Sequence, residues 1–317
     1  LTSAVGTDNQ SATTAICVGT MITPISYEFG QGATSAFATG LPPGVDYSIS
    51  GTTLTISGIS NAGTTATTVY NYEVRTVGNS CEPEAILTGR IEVIPTQLLE
   101  LVSAAGTDNQ EICNSGPANA LIPIEYVLQG STTGFTETGL PAGISATLSP
   151  TNRTITIAGT PTFEVNTTTS YPYTLTPTGV PGCTSFIISG VITIHPNSKI
   201  TLLSISGTDN QRGVTGVCQG SAITPISYTF SQGATSAVVS GLPNGVTFSI
   251  SGSSVNLSGT PSDNVTVPTE YIYTVTTSGN NCQPEASVTG VIEVLPLHSI
   301  QLSSGTGTDR QTICNSG

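Results

Sequence analysis

The sequence predicts an all-β protein, a tandem array of antiparallel β-sandwich domains of about 100 residues each. Three observations predict it. A set of motifs recurs with a period near one hundred, apolar residues alternate with period two between turn-rich clusters, and cysteines recur as one pair per repeat. The pentapeptide GTDNQ stands at 6–10, 106–110 and 207–211 and returns as GTDRQ at 307–311. GLPPGV from Gly40 recurs as GLPAGI from Gly139 and GLPNGV from Gly241; TGRIEVIP, ending at Pro95, recurs as SGVITIHP ending at Pro196 and TGVIEVLP ending at Pro296. Such a period is too long for a solenoid unit and right for one small domain. The predicted domains are 1–95, 96–196 and 197–296, with 297–317 the start of a fourth repeat.

A second period lies over the first. Repeats 1 and 3 are near twins, with PISYEF at Pro24 and PISYTF at Pro225, and CEPEA at Cys81 and CQPEA at Cys282, each offset by 201. Repeat 2 has its own form, ICNSG at Ile112, which returns at Ile313. The array therefore alternates between a type A and a type B domain. Its break inside the fourth repeat reads as a window on a longer protein, and no signal-peptide-like or membrane-spanning run appears.

The elements follow from local pattern. In Tyr70–Val74, Tyr171–Leu175 and Tyr271–Val275, residues one, three and five are Tyr, Tyr and an aliphatic, which share one face of a strand. Ile91 and Val93, with their counterparts Ile192 and Ile194, and Ile292 and Val294, do the same for the last strand. In GLPxG the proline presets φ and the second glycine supplies positive φ, a sharp turn between strands. Pro95, Pro196 and Pro296 close the last strands and stiffen short linkers. About seven strands per repeat, with a first Tyr of each Tyr-x-Tyr placed like a tyrosine corner, give an immunoglobulin-like sandwich.

Composition narrows the function. Charged residues make up 8% of the chain and aromatics 5%, with no Trp and a formal net charge of -13. Ordinary domains carry about 25% charge. Lys199 is the only lysine, so no basic patch exists for nucleic acid or an anionic membrane. With a hydrophobic share of 37%, each core is small and covalent help is expected.

The cysteines supply that help. Cys17 and Cys81, Cys113 and Cys183, and Cys218 and Cys282 fall one pair to a repeat, and Cys314 belongs to the fourth. This is a disulfide framework of an oxidising compartment. The early cysteine lies near the first turn and the late one in the last turn, at opposite poles of a strict sandwich. A bend after GTDNQ would allow intradomain pairing, which is the expected arrangement; the alternative joins the foot of one domain to the head of the next.

No catalytic constellation is present. His195 and His298 are junctional and have no counterpart in repeat 1, and neither GxSxG, HExxH nor a P-loop occurs. Asp8, Asp108, Asp209 and Asp309 recur in GTD[NR]Q and are the weak candidates for calcium, with Glu82, Glu84 and Glu285 as possible supplements; the bland alternative is an Asx turn. Sequons at Asn9, Asn152, Asn166, Asn256 and Asn264 do not recur in register.

Together, GTDNQ, the cysteine and PISY after it, GLPxGV, SGTP, YxYTV, the late cysteine and TGxIxV resemble the Ig-like or PKD-like repeats of giant surface proteins of Bacteroidota, the SprB-like gliding adhesins among them. The resemblance implies a secreted, cell-surface fibre used in adhesion, gliding or biofilm. Near-identical repetition without site chemistry favours a structural stalk whose partners are neighbouring repeats of the same chain. Two rivals stand beside it: copies assembling into a multi-chain filament through edge strands, and an array of weak polysaccharide-binding modules for surface glycans.

Overall fold

The computed structural model describes residues 1–78, 83–114 and 120–310; Cys81, Glu82 and Cys314 lie outside them. The chain divides into two compact units. Leu1–Glu164 with Thr169–Ile194 holds repeats 1 and 2, and Val165–Thr168 with His195–Gly317 holds repeat 3. Repeats 1, 2 and 3 are each a sandwich of two sheets. The described residues contain no α-helix, only short 3-10 turns such as Ala12–Thr14 and Gly213–Thr215.

Repeat 2 shows the full pattern. One sheet is ordered Ile144–Ser149, Thr154–Gly159, Ile124–Gly130, Gln97–Leu101; the other is ordered Asn109–Cys113, Ile188–His195, Thr169–Gly179, Thr132–Thr138. This is immunoglobulin-like, with eight strand segments rather than seven because the first strand is split between the sheets. The split has a local cause: the run from Pro95 to Cys113 outlasts one sandwich edge, and Gly106 at φ 87° turns it across to the other sheet. Repeat 3 has the same sheets, with Lys199–Leu202 as its leading strand. In repeats 1 and 3 the crossing strand is broken again, into Asn9–Gln10 and Ile16–Cys17 and into Asn210–Gln211 and Val217–Cys218. Each piece runs parallel to the last strand of its repeat.

Cores follow the period-two pattern. In repeat 1, Ile25, Tyr27, Leu54, Ile56, Tyr72, Val74, Ile91 and Val93 are buried between the sheets. In repeat 3 the corresponding cluster includes Ile226, Tyr228, Val255, Leu257, Tyr273, Val275, Ile292 and Val294. Burying each such side chain contributes about 1.5–3 kcal/mol. The GLPxG turn and the glycine of the SG motif meet one another: Gly44 and Gly58 both have positive φ, and a Cβ on Gly58 would strike the Gly44 carbonyl. The same pairs recur as Gly143 with Gly159 and Gly245 with Gly259, so the two motifs recur together because they touch.

Candidate functional site: the latch within a repeat and the staple between repeats

GTDNQ is a latch. Gln10 is buried; its side-chain amide donates to the Thr7 and Thr23 carbonyls, and its Oε1 accepts from the Thr23 amide. Gln110 and Gln211 repeat this with Thr107 and Ile122, and with Thr208 and Thr224. The Asp8 carbonyl accepts from the Arg90 amide at 2.8 Å and from the Tyr72 hydroxyl at 3.4 Å. Asp108 and Asp209 do the same with Val191 and Tyr173, and with Val291 and Tyr273. The main-chain oxygen of each aspartate, rather than an Asx side-chain turn, therefore ties the loop to the sandwich.

Below the latch, two tyrosines meet. The hydroxyls of Tyr27 and Tyr72 lie 2.8 Å apart, those of Tyr126 and Tyr173 3.2 Å, and those of Tyr228 and Tyr273 2.8 Å. Burial, then the hydrogen-bonded partner phenol, pushes Tyr72, Tyr173 and Tyr273 far above the ordinary tyrosine range, so they remain protonated donors. The second tyrosine of Tyr-x-Tyr fastens the loop. That corrects the expectation that the first would: Tyr70, Tyr171 and Tyr271 are only part-buried. It also explains Gly89, Gly190 and Gly290, whose absent Cβ leaves room for the tyrosine hydroxyl and the aspartate carbonyl. The signal was in the sequence, since the tyrosine of PISY recurs in step with Tyr-x-Tyr.

The cysteines correct a second expectation. Cys17 is bonded to Cys183, from repeat 1 to repeat 2, with a Cα–Cα distance of 5.1 Å. Intradomain pairing fails for a topological reason visible in repeat 3. Cys218 lies opposite Leu295 at the end of the last strand, whereas Cys282 precedes the start of that strand at Ser287. The 9 residues between these ends span roughly 30 Å, far beyond the roughly 7 Å limit for a bridge. The bend after GTDNQ exists, but it carries the early cysteine to the pole where the next repeat begins.

The geometry of the next repeat completes the junction. Gln97 is buried in repeat 2; its side chain donates to the Val180 carbonyl at 2.7 Å, its amide to Thr184 at 2.9 Å, and its carbonyl accepts from Phe186 at 3.1 Å. Ser131 donates to the Pro95 carbonyl at 2.7 Å. The linker is thus laced to the last turn of repeat 2, and that turn presents Cys183 to Cys17. Cys17, Ile94 and Cys183 form a buried cluster with Ala15 and Val180 packed on it. Cys113 and Cys282 are also disulfide-bonded, and Cys218 is exposed and has no disulfide partner among the described residues.

The remaining candidates are placed as follows. Asp8, Asp108 and Asp209 are half-buried in the latch and Asp309 is exposed. Calcium binding takes six to eight oxygens, and among the described residues no group of three or more Asp, Glu, His or Cys side chains converges. His195 Nδ1 lies 3.0 Å from the Thr168 hydroxyl, and His298 is exposed.

No protein-family model matches the chain, and no curated protein matches it. Solved structures align with it at low identity. Extracellular cadherin domains 1–5 of protocadherin gamma B2 give a TM-score of 0.38 with 14% identity, covering 89% of this chain and 58% of that one. Drosophila N-cadherin domains 1–4 give 0.37 with 12% identity, covering 83% and 66%. An endo-fucoidan hydrolase of glycoside hydrolase family 107 gives 0.24 with 17% identity, covering 90% and 43%. The chain thus spans less than two thirds of the length of each.

Proposed function

We propose that the chain is a stretch of structural stalk in an extracellular adhesive repeat protein, a covalently stapled spacer that serves adhesion, gliding or biofilm at a cell surface. The observation that carries this reading is the Cys17–Cys183 bond, which crosses from one repeat to the next. A bridge inside a domain stabilises that domain alone; a bridge across a junction transmits load between domains. The buried positions of Tyr27, Tyr72, Tyr126, Tyr173, Tyr228 and Tyr273 support the same reading, because they commit most tyrosines to the cores rather than to a sugar-binding face. On this reading each early cysteine bonds to the late cysteine of the following repeat.

Single-molecule stretching tests the proposal. With the bridge intact, the 166 residues between Cys17 and Cys183 stay locked when repeats 1 and 2 unfold, which withholds about 580 Å of contour length at ~3.5 Å per residue. Reduction is expected to release it. Full release without reductant would contradict the stalk, and so would specific retention of the folded chain on a glycan array.

A further inference from the structure

The strand after each Gly-Leu-Pro-x-Gly turn lies at the edge of its sheet. Among the described residues, Val45–Ser50, Ile144–Ser149 and Val246–Ser251 each have one strand neighbour, respectively Thr53–Gly58, Thr154–Gly159 and Ser254–Gly259. Repeats 1 and 2 keep this edge unpaired although another repeat follows each of them, so the opening belongs to the sandwich itself. The register fixes which main-chain groups face out. Val246 pairs with Gly259, whose carbonyl accepts from the Ile223 amide on the far side at 3.0 Å. Alternation along an antiparallel ladder then makes Thr247–Ser258 and Ser249–Asn256 the bonded pairs, and turns the N–H and C=O of Phe248 and Ile250 to the open edge. The side chains of these two residues fall on the core side with Val246 but overhang it: Phe248 is 39% and Ile250 40% exposed.

The near twin guards this edge and repeat 3 does not. In repeat 1 the amide of Ile22 donates to Gly58 as that of Ile223 does to Gly259, so the outward groups are those of Tyr47 and Ile49. There the Asp46 carboxylate accepts from the Tyr47 amide at 2.8 Å. It occupies a pairing donor and sets a charge on the edge, and charge is one device by which sheets avoid joining one another. Repeat 3 has Thr247 and Phe248 at these positions, and no charged residue occurs anywhere from Gly213 to Ser262. In a chain of net charge -13, this is a surface on which two copies meet without repulsion.

We propose that Val246–Ser251 is a homotypic contact, through which repeat 3 of one chain adds as an antiparallel strand to repeat 3 of a second copy. Strand addition supplies main-chain bonds, and a two-fold contact presents one patch to itself. The symmetric register that pairs Phe248 of each chain with Ile250 of the other satisfies all the outward groups of both residues. It centres on Ser249 and sets an aromatic ring directly against a β-branched side chain twice, a favourable cross-strand pair. The two overhanging apolar strips then cover one another. The contact joins stalks side by side. It does not depend on the Cys17–Cys183 staple, and either can fail without the other.

The test is sedimentation of the whole unreduced chain over a concentration series, with amide exchange read on the same samples. A dimer that dissociates on dilution is expected, with exchange slowed at Phe248 and Ile250 as it forms. Thr247→Asp installs the residue that repeat 1 carries at the same place, so the fold is retained. It is expected to weaken the dimer about tenfold or more, because a capped Phe248 amide on each copy no longer pairs. Thr247→Ser is expected to leave the dimer unchanged. A chain that stays monomeric up to about 1 mM would overturn the proposal. So would a dimer that Thr247→Asp leaves intact, or one that slows exchange at Tyr47 and Ile49 instead.

Discussion

Repeat 1 and repeat 3 share their cores almost residue for residue, including the paired tyrosines and the Gln latch, and each shows a different part of the connection to its neighbours. Repeat 3 displays its leading strand, Lys199–Leu202, and repeat 1 displays its early cysteine bonded to the next repeat, Cys17 to Cys183. The contrast separates two jobs. Tyrosines, glycines and alternating aliphatics close the sandwich. The leading strand and the early cysteine belong to the connection between repeats.

The largest expected effect comes from the bonded cysteine. Replacing Cys17 and Cys183 together by serine removes a 166-residue cross-link, worth up to about 5 kcal/mol in the chain-entropy treatment. Denaturant unfolding followed by residue-resolved exchange is expected to show this loss in repeats 1 and 2 and none in repeat 3. An equal loss in repeat 3 would break the comparison.

Next comes the leading strand. Ile200 is 9% exposed and pairs with Phe230. Ile200→Ala is expected to cost repeat 3 about 2–5 kcal/mol, measured by exchange at Ile226–Ser231. A cost below about 0.5 kcal/mol would mean that the strand is only draped on the sheet.

The Glu285 carboxylate ties the leading strand of repeat 3 to its last turn, accepting from Ser198 and Thr277. Glu285→Ala is expected to cost about 1.5–3 kcal/mol, the worth of hydrogen bonds to a charged group. Burial raises the Glu285 pKa, but hydrogen bonds from Thr277, Ser198 and Asn280 outweigh it and hold the pKa below the ordinary carboxylate value. With the folded value below the unfolded one, this stabilisation is present above the unfolded value and is lost as the pH falls through the folded value. Acid titration of stability is therefore expected to weaken repeat 3 in that window, and Glu285→Gln to flatten the response.

The smallest effect concerns the 3-10 turn. Ala12 has φ 52° where its twin Gly213 has φ 61°. Relief of the left-handed penalty outweighs the added freedom of the unfolded chain, so Ala12→Gly is expected to gain about 0.5 kcal/mol. Gly213→Ala is expected to lose a similar amount, read as opposite shifts in denaturant midpoint.

The sequence made the sandwich legible because its signals are local: Tyr-x-Tyr-x-aliphatic on one face, Gly-Leu-Pro-x-Gly turns and prolines after the last strands. The roles of Tyr72 and Gly89 were less legible, since they depend on a loop carbonyl 64 residues from the tyrosine in sequence. The direction of the staple was hidden for a similar reason. Spacing alone gives one cysteine pair per repeat, while the parallel run of Ile16–Cys17 along the last strand decides which pole each cysteine occupies. Nothing in the sequence singled out Gln97; its burial follows from contacts to Val180, Thr184 and Phe186 in the turn that carries Cys183.

The most direct measurement is proteolytic mapping of the unreduced chain, with mass spectrometry of the cross-linked peptides. The account expects Cys17 and Cys183 in one linked peptide pair, and no peptide that joins Cys113 to Cys183 or Cys218 to Cys282. Recovery of Cys17 linked to Cys81 would contradict it, because the staples would then lie within repeats and the junction would carry no covalent load.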